Sequence, residues 1–533
     1  MGGDAGGWAM LLREASPRSL LGGAAAALLL WWAVRMLEWA WWAPRRVERA
    51  LRAQGLRGTR HRFLWGDIRE DQRLTAAALA RPVPTDRAHD ILPRVAPLLH
   101  RVFQEHGKPS FTWYGPSPRI TVTDPELVRE VLSNKSGHFV KTNLATRLSK
   151  FLVGGIVILD GEKWVKHRRI LNPAFHAEKL KGMIPAFSAS CSELIGRWEN
   201  LVAASAGPAE LDVWPEFQNL SGDVISRAIF GVSYQDGRRI FLLQAEQAER
   251  LVQSFRTNYI PGYSLLPTEN NRKMKAIDRE VKMILRGIIE KRQRTLKNGE
   301  GNKDDLLGML LQSNMDYTDE DGISSQGITV EEVIEECKIF YFAGMETTAV
   351  LLAWTVVVLS MHPEWQDRAR EEVLQVFGQN KPDSSGVSRL KIVTMVLYEV
   401  LRLYPPVVAM NRRTHKQTEL GGVAYPAGVM LLLPMIFIHR DPALWGDDAG
   451  EFNPGRFAEG VSKACSDPGA FVPFSWGPRV CIGQNFALVE AKVAVSMMLQ
   501  RFSLELSPAY VHAPYTVLTL HPQHGIPVRL HRL

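Results

Sequence analysis

Between Thr329 and Pro363 the chain carries a helical segment that only a large, layered domain can house. Thr329-Val-Glu-Glu332 is a capping box, and an apolar-rich pattern follows it up to His362-Pro363, where the residue before a proline leaves the helical region. Val330 to Met361 makes 32 residues, a rod of roughly 48 Å. It is apolar on nearly all sides (IFYFAG, then AVLLAWTVVVL), so it belongs inside rather than along a surface. Its middle breaks the pattern with Ala343-Gly344-Met345-Glu346-Thr347-Thr348. Glycine costs about 1 kcal/mol against alanine in a helix, and a buried acid requires a partner. A threonine hydroxyl that returns to the carbonyl four residues earlier bends the helix and opens its ladder. Two readings stand side by side: a kinked core helix with a satisfied polar patch, or a groove for a small polar ligand lined by Glu346 and Thr347.

A second irregularity lies near the far end. Phe474-Ser-Trp-Gly477-Pro-Arg479-Val-Cys481-Ile-Gly483 packs two glycines and a proline into a fixed turn. An amphipathic helix is expected after it, from Gln484 to about Leu499. Cys481 thus falls at a helix N-terminus, where backbone amides and the dipole favour a thiolate, and Arg479 adds positive charge. An isolated cysteine at a helix start is commonly structural; turn, cation and dipole together point to a ligating or reactive sulfur. The other cysteines, Cys191, Cys337 and Cys465, stand at wide, irregular spacings with no CxxC pair. That speaks against a zinc site, a dithiol motif or a disulfide scaffold, and for a reducing compartment.

At the amino terminus, Leu20 to Val34 (LLGGAAAALLLWWAV) is an uninterrupted small and apolar run of 15 residues, short of the ~20 that cross a bilayer. It extends to Trp42 if Arg35 and Glu38 snorkel or pair near one end. Trp31, Trp32, Trp39, Trp41 and Trp42 gather toward that boundary as interfacial aromatics do, and Pro44 is expected to stop the helix. A cleaved signal peptide fits poorly, because Asp4 and Glu14 stand beside Arg13 and Arg18 and the run ends in tryptophans and arginines. Arg45, Arg46, Arg49, Arg52, Arg57, Arg60 and Arg62 follow, so the positive-inside rule places the remainder on the cytosolic side. The expected organisation is a short N-terminal segment (1–19), a transmembrane anchor (20–42), a basic linker (43–60) and one large domain (61–533). That domain reads as mainly α with small β-sheets. Strands are expected at Arg119–Thr123, around Val429–Leu433 and in a hairpin near Thr516–Leu520, with loops at Lys297–Asp305 and Asn314–Gly327.

With 46% apolar and 23% charged residues the composition is ordinary for a globular protein. The formal charge of +8 suits an anionic membrane surface or an acidic partner. No Lys/Arg tract interleaves with aromatics, so no nucleic acid is expected as a partner. No GxGxxG at a strand–helix junction and no P-loop is present, so no nucleotide module is encoded.

FSWGPRVCIG resembles the haem-binding loop of the cytochrome P450 superfamily, Phe-x-x-Gly-x-Arg-x-Cys-x-Gly, with Ala487 also in place. AGMETT resembles that family's oxygen-activating helix, Glu399-Val-Leu-Arg402 its Glu-x-x-Arg pair, and Trp164-Val-Lys-His-Arg168 its Trp-x-x-x-Arg helix. Phe452-Asn-Pro-Gly-Arg456-Phe457 is similar to the segment that gives the pair a second arginine, although Gly455 replaces the familiar acid. The five motifs occur in the right order over almost the whole chain after the anchor. The stretch WWAPRRVERALRAQGLRG, without a proline-rich hinge, and the C-terminal stretch resemble the plant microsomal group typified by secologanin synthase. Members of that group oxidise terpenoid-type skeletons, and some act on fatty acids or herbicides.

The resemblance implies a cytochrome P450 fold, haem b with its iron on Cys481, and insertion of one atom of O2 into a small lipophilic substrate. Trp164, Arg168, Arg413, Phe474, Arg479 and Gly483 would bind the cofactor, and Glu346 and Thr347 would relay protons. Glu399, Arg402 and Arg456 would be structural; apolar neighbours of the first two already argue for burial. Pocket walls would include Phe340, Met345, Val407, Met410 and Val517, with the segments Thr142–Gly155 and Phe255–Leu266. Electrons would come from NADPH through a separate flavoprotein reductase, and the chain would sit once through the endoplasmic reticulum membrane. The alternatives are a haem-thiolate isomerase or dehydratase that does not use O2, and a non-catalytic membrane haem protein.

Overall fold

The helix Val330–Met361 forms with the expected bounds in this computed structural model. Both halves of its capping box are made: the Glu332 amide donates to Thr329 Oγ1 at 3.2 Å, and the Thr329 amide to Glu332 Oε2 at 2.8 Å. The described residues are 17–533 except 142–147, 206, 232–233, 256, 258, 300–304, 314–316, 319–323 and 326. Most of the N-terminal segment, part of both expected loops, the start of the Thr142–Gly155 wall and two positions of Phe255–Leu266 therefore lie outside them.

Helix Val213–Phe230 lies along the central helix, and Glu269–Lys297, Pro363–Phe377, Ile392–Leu403 and Gln484–Leu499 pack around it. Close approach is set by Gly344: a Cβ there would come within 2.3 Å of Ile225 Cδ1. Helix Gln484–Leu499 has the expected bounds but not the expected face. It is buried almost all round from Phe486 to Leu499, because Ala177–Ala204, Pro363–Phe377 and the central helix enclose it.

All three expected strand regions form. A six-stranded sheet runs in the order Arg57–Gly58, Ser110–Tyr114, Ser117–Thr121, Met430–Leu433, Met410–Thr414, Phe139–Lys141. Its last three strands set Arg412 opposite Leu431 on one side and Lys141 on the other. Pro514–Val517 pairs with Thr519–Pro522 in a hairpin whose turn residue, Leu518, has φ 62°.

The anchor departs from expectation at its end. Helix Pro17–Leu37 passes into a π-helical turn, Glu38–Trp42, and continues as Ala43–Ala53. Pro44 does not stop it. The Ala43 amide bonds to the Glu38 carbonyl five residues back, and this wider turn absorbs the donor that proline lacks. Residues 43–53 are consequently helix, not linker, and they dock on the domain: Leu51 is fully buried. Glu38 pairs with Arg46, and the Arg45 guanidinium lies 3.6 Å over Trp41. Leu28, Leu29, Leu30, Trp31 and Trp32 are all exposed, and no residue from Leu21 to Leu37 is buried. This is a helix long and apolar enough to cross a membrane.

Candidate active site

The cysteine loop is shaped by two left-handed residues, Ser475 at φ 69° and Gly477 at φ 73°. At Gly477 a Cβ would stand 3.0 Å from the Leu132 carbonyl and from Ser133 Cα, so both conformation and space call for glycine. The Cys481 amide donates to the Phe474 carbonyl at 2.9 Å and closes the loop. The Cys481 residue is exposed yet hemmed closely by protein atoms, and this desolvation pushes its thiol up, against the Gly483 amide and the Arg168 guanidinium. Desolvation thus opposes the helix end and Arg168 at this sulfur, and a bound cation would favour its thiolate. Cys191 and Cys337 are buried thiols pushed far up by burial, and Cys465 bonds to the Asp467 carbonyl at 3.1 Å.

Cations gather beside this loop. Arg168 Nη1 donates to the Val480 carbonyl at 2.9 Å. Arg479 donates to the Leu159 carbonyl at 3.0 Å, pairs with Asp160 and lies 4.6 Å over the Trp164 ring. Lys141 donates to the Val157 carbonyl. Burial lowers Lys141 to about 7, with repulsion from Arg479 and Arg412 adding to it; burial and then Arg479 lower Arg412 to about 10. Among the described residues, Asp160 is the carboxylate acting on both. The arginine that joins this cluster is Arg412, not the anticipated Arg413. Successive residues of a strand point to opposite faces, and Arg412 is the one opposite Lys141. A lone sulfur beside Lys141, Arg168, Arg412 and Arg479 suits an anionic macrocycle: thiolate for its metal, cations for its acidic edge. The residues fit haem.

On the central helix, Thr347 Oγ1 donates to the Ala343 carbonyl at 2.8 Å, the back-bond that opens a helix. Glu346 is buried and has found partners: its Oε1 accepts from Thr519 Oγ1 at 2.5 Å and bonds to His521 Nε2. Neither partner was anticipated, since they lie on the hairpin 173 and 175 residues away and no local pattern links them.

The anticipated walls divide. The Leu520 amide donates to the Pro406 carbonyl at 3.1 Å, which brings the hairpin carrying Val517 beside the segment from Val407 to Met410. Met410 and Val517 are half-buried, and Val407 is 37% exposed. Phe340 is buried and stacks on Phe175 at 5.5 Å, which in turn meets Phe486. Met345 is buried too, but two residues from both Ala343 and Thr347 it lies roughly 200° around the helix from each. It belongs to the opposite stripe with Tyr341, which stacks on Phe230 at 4.2 Å, so it does not line a groove beside Thr347.

Behind the cysteine loop, Arg402 donates to both oxygens of Glu399 at 2.7 Å, with both side chains fully buried. The remaining guanidinium donors reach the carbonyls of His439, Ala449 and Glu451. Arg456 reaches Glu399 at 3.1 Å and Asp448 at 2.8 Å. Asp448 thus supplies the acid that Gly455 does not, and every charge in the buried group is matched.

The pattern described as Cytochrome P450 matches residues 94–524. The chain is 59% identical over 503 residues to Cytochrome P450 CYP72A616 of Paris polyphylla, covering 94% of this chain and 96% of that one. It is 52% identical over 503 residues to Cytochrome P450 72A13 of Arabidopsis thaliana, with the same coverage. Secologanin synthase 2 of Catharanthus roseus is 49% identical over 495 residues, 93% of each chain.

Proposed function

The chain belongs to the cytochrome P450 family and is a haem monooxygenase; on that premise we propose that it oxidises a terpenoid-type skeleton beside Glu346 and Thr347. Bound haem supplies an iron centre at which O2 is reduced and one of its oxygen atoms is inserted into substrate. Cys481 is the iron's ligand, and Arg168, Arg412, Arg479, Lys141 and Trp164 hold the cofactor's acidic edge. Thr347 returns its hydroxyl to the Ala343 carbonyl inside an uninterrupted helix, and Glu346 moves protons inward. Glu399, Arg402 and Arg456 hold the segment behind the cysteine loop and take no part in the chemistry.

The observation that carries this reading is the cysteine loop with its ring of cations, which suits a thiolate-bound anionic cofactor. The substrate class rests on the likeness to secologanin synthase together with apolar walls such as Met410 and Val517. Electrons arrive from NADPH through a separate flavoprotein reductase, and the net charge of +8 suits an acidic docking face on it. The exposed helix before Trp42 holds the protein in the endoplasmic reticulum membrane, with residues after it on the cytosolic side. Co-expression with such a reductase and a panel of terpenoids and fatty acids tests the reading. An oxygenated terpenoid that requires NADPH is expected; turnover of fatty acids alone would contradict the substrate class. Turnover of a hydroperoxide without reductase, and no oxygenation, would favour the isomerase.

A further inference from the structure

We propose that His521 is a positioning residue for proton supply, linking the buried Glu346 carboxylate to solvent. The proposal rests on the reading of Glu346 as the acid of the relay. Buried acids need partners, and Glu346 has two that differ in kind. Thr519 can hold a carboxylate but cannot bring it charge. His521 can do both, because imidazole is the side chain whose ordinary titration falls near neutrality.

The hairpin places these groups. Thr519 and His521 stand two apart on one strand, so both point to the same face and both meet Oε1 of Glu346. Oε2 takes part in neither bond. The imidazole packs against Trp214 at 5.0 Å and its cross-strand neighbour Tyr515 at 6.0 Å, which fixes the ring. Its side chain is 15% exposed and that of Glu346 8%, so the histidine is the outer member of the pair.

The titratable groups around the imidazole are Glu346 on the central helix, Tyr515 on the paired strand, and Glu249, which acts on Tyr515. Burial pushes the Tyr515 phenol up, with Glu249 and Glu346 adding to it, so that phenol stays neutral. Glu346 and His521 remain as the groups that exchange protons. A proton passes from the imidazolium Nε2 to Oε1 of Glu346 and leaves a neutral imidazole, which solvent recharges. The carboxyl group gives its proton inward on the Thr347 side and returns to carboxylate. One solvent proton is consumed per transfer, and both side chains end as they began.

The test uses the full chain in membranes with the reductase. It compares the parent protein with His521→Gln, which keeps a donor for Glu346 but cannot carry charge, and with Glu346→Gln. The readouts are the reduced carbon-monoxide spectrum, the share of NADPH electrons recovered as hydrogen peroxide, and the dependence of NADPH consumption on pH across about 5 to 8. His521→Gln should keep the spectrum, raise the peroxide share and lose the parent's fall in rate toward high pH. Parental peroxide share and pH profile in His521→Gln, with Glu346→Gln impaired, would overturn the role of His521 alone. Parental behaviour of Glu346→Gln would overturn the relay itself. If His521→Gln loses the spectrum, the parent decides: a rate flat across that range overturns the proposal.

Discussion

Arg412 and Arg413 are neighbours with one side-chain chemistry and two environments. Only Arg412 joins Lys141 and Arg479, and crowding by burial and like charge lowers Lys141 to about 7 and Arg412 to about 10. A cluster so poor in counter-charge gains from an anion, and a charge-assisted hydrogen bond there is worth about 1.5–3 kcal/mol. Arg412→Ala should therefore weaken haem retention by roughly ten- to a hundredfold, while Arg413→Ala leaves it near the parent value. Haem loss to an apo-acceptor protein measures both. Equal effects would place the wrong arginine at the cofactor.

At the scale of elements, the helix after the π turn changes how the anchor joins the domain. Leu51 is fully buried, and the Gln54 side chain bonds to Ala424 from both its oxygen and its nitrogen. Truncation up to Leu37, where no residue from Leu21 on is buried, should release the protein from membranes and leave stability unchanged, whereas Leu51→Ala should cost about 2–5 kcal/mol. Denaturant midpoints of the two proteins check this; a neutral Leu51→Ala would restore the linker reading. Local signals made the other elements readable in sequence. A capping box starts the central helix, a Gly/Pro-rich turn sets the cysteine loop, and short β-branched or apolar runs mark the strands. What stayed hidden depends on partners far along the chain. The choice of Arg412 over Arg413 needs strand register, the enclosure of Gln484–Leu499 needs three other helices, and the partners of Glu346 lie on a distant hairpin. Pro44 is a different case: the breaker is present, but a π turn accommodates it. The helical phase of Met345 relative to Thr347 is, by contrast, legible in the sequence itself.

Across the whole molecule, several histidines are buried uncharged. Burial lowers His89 and His439 to about 3 and His512 to about 4. His89 bonds to Tyr404 and His362, Tyr404 packs on His512, and the Arg440 guanidinium lies 5.9 Å over the Tyr404 ring. In the unfolded chain each would take up a proton near pH 6.5. Their contribution is thus complete above about pH 6.5 and is lost as pH falls toward about 4 for His512 and about 3 for His89 and His439, at up to about 1.4 kcal/mol per histidine per pH unit. Stability measured by denaturant should drop steeply between about pH 6 and 4, and a flat profile would show that these rings charge in the folded state.

All of this depends on one sulfur. Cys481 sits in a turn that Ser475 and Gly477 shape, beside cations that suit an anionic cofactor. The reduced carbon-monoxide spectrum of Cys481→Ser, recorded beside Cys191→Ser, Cys337→Ser and Cys465→Ser, tests it most directly. The thiolate signature should vanish in the first protein and persist in the other three. A normal thiolate spectrum from Cys481→Ser would contradict the account at its centre.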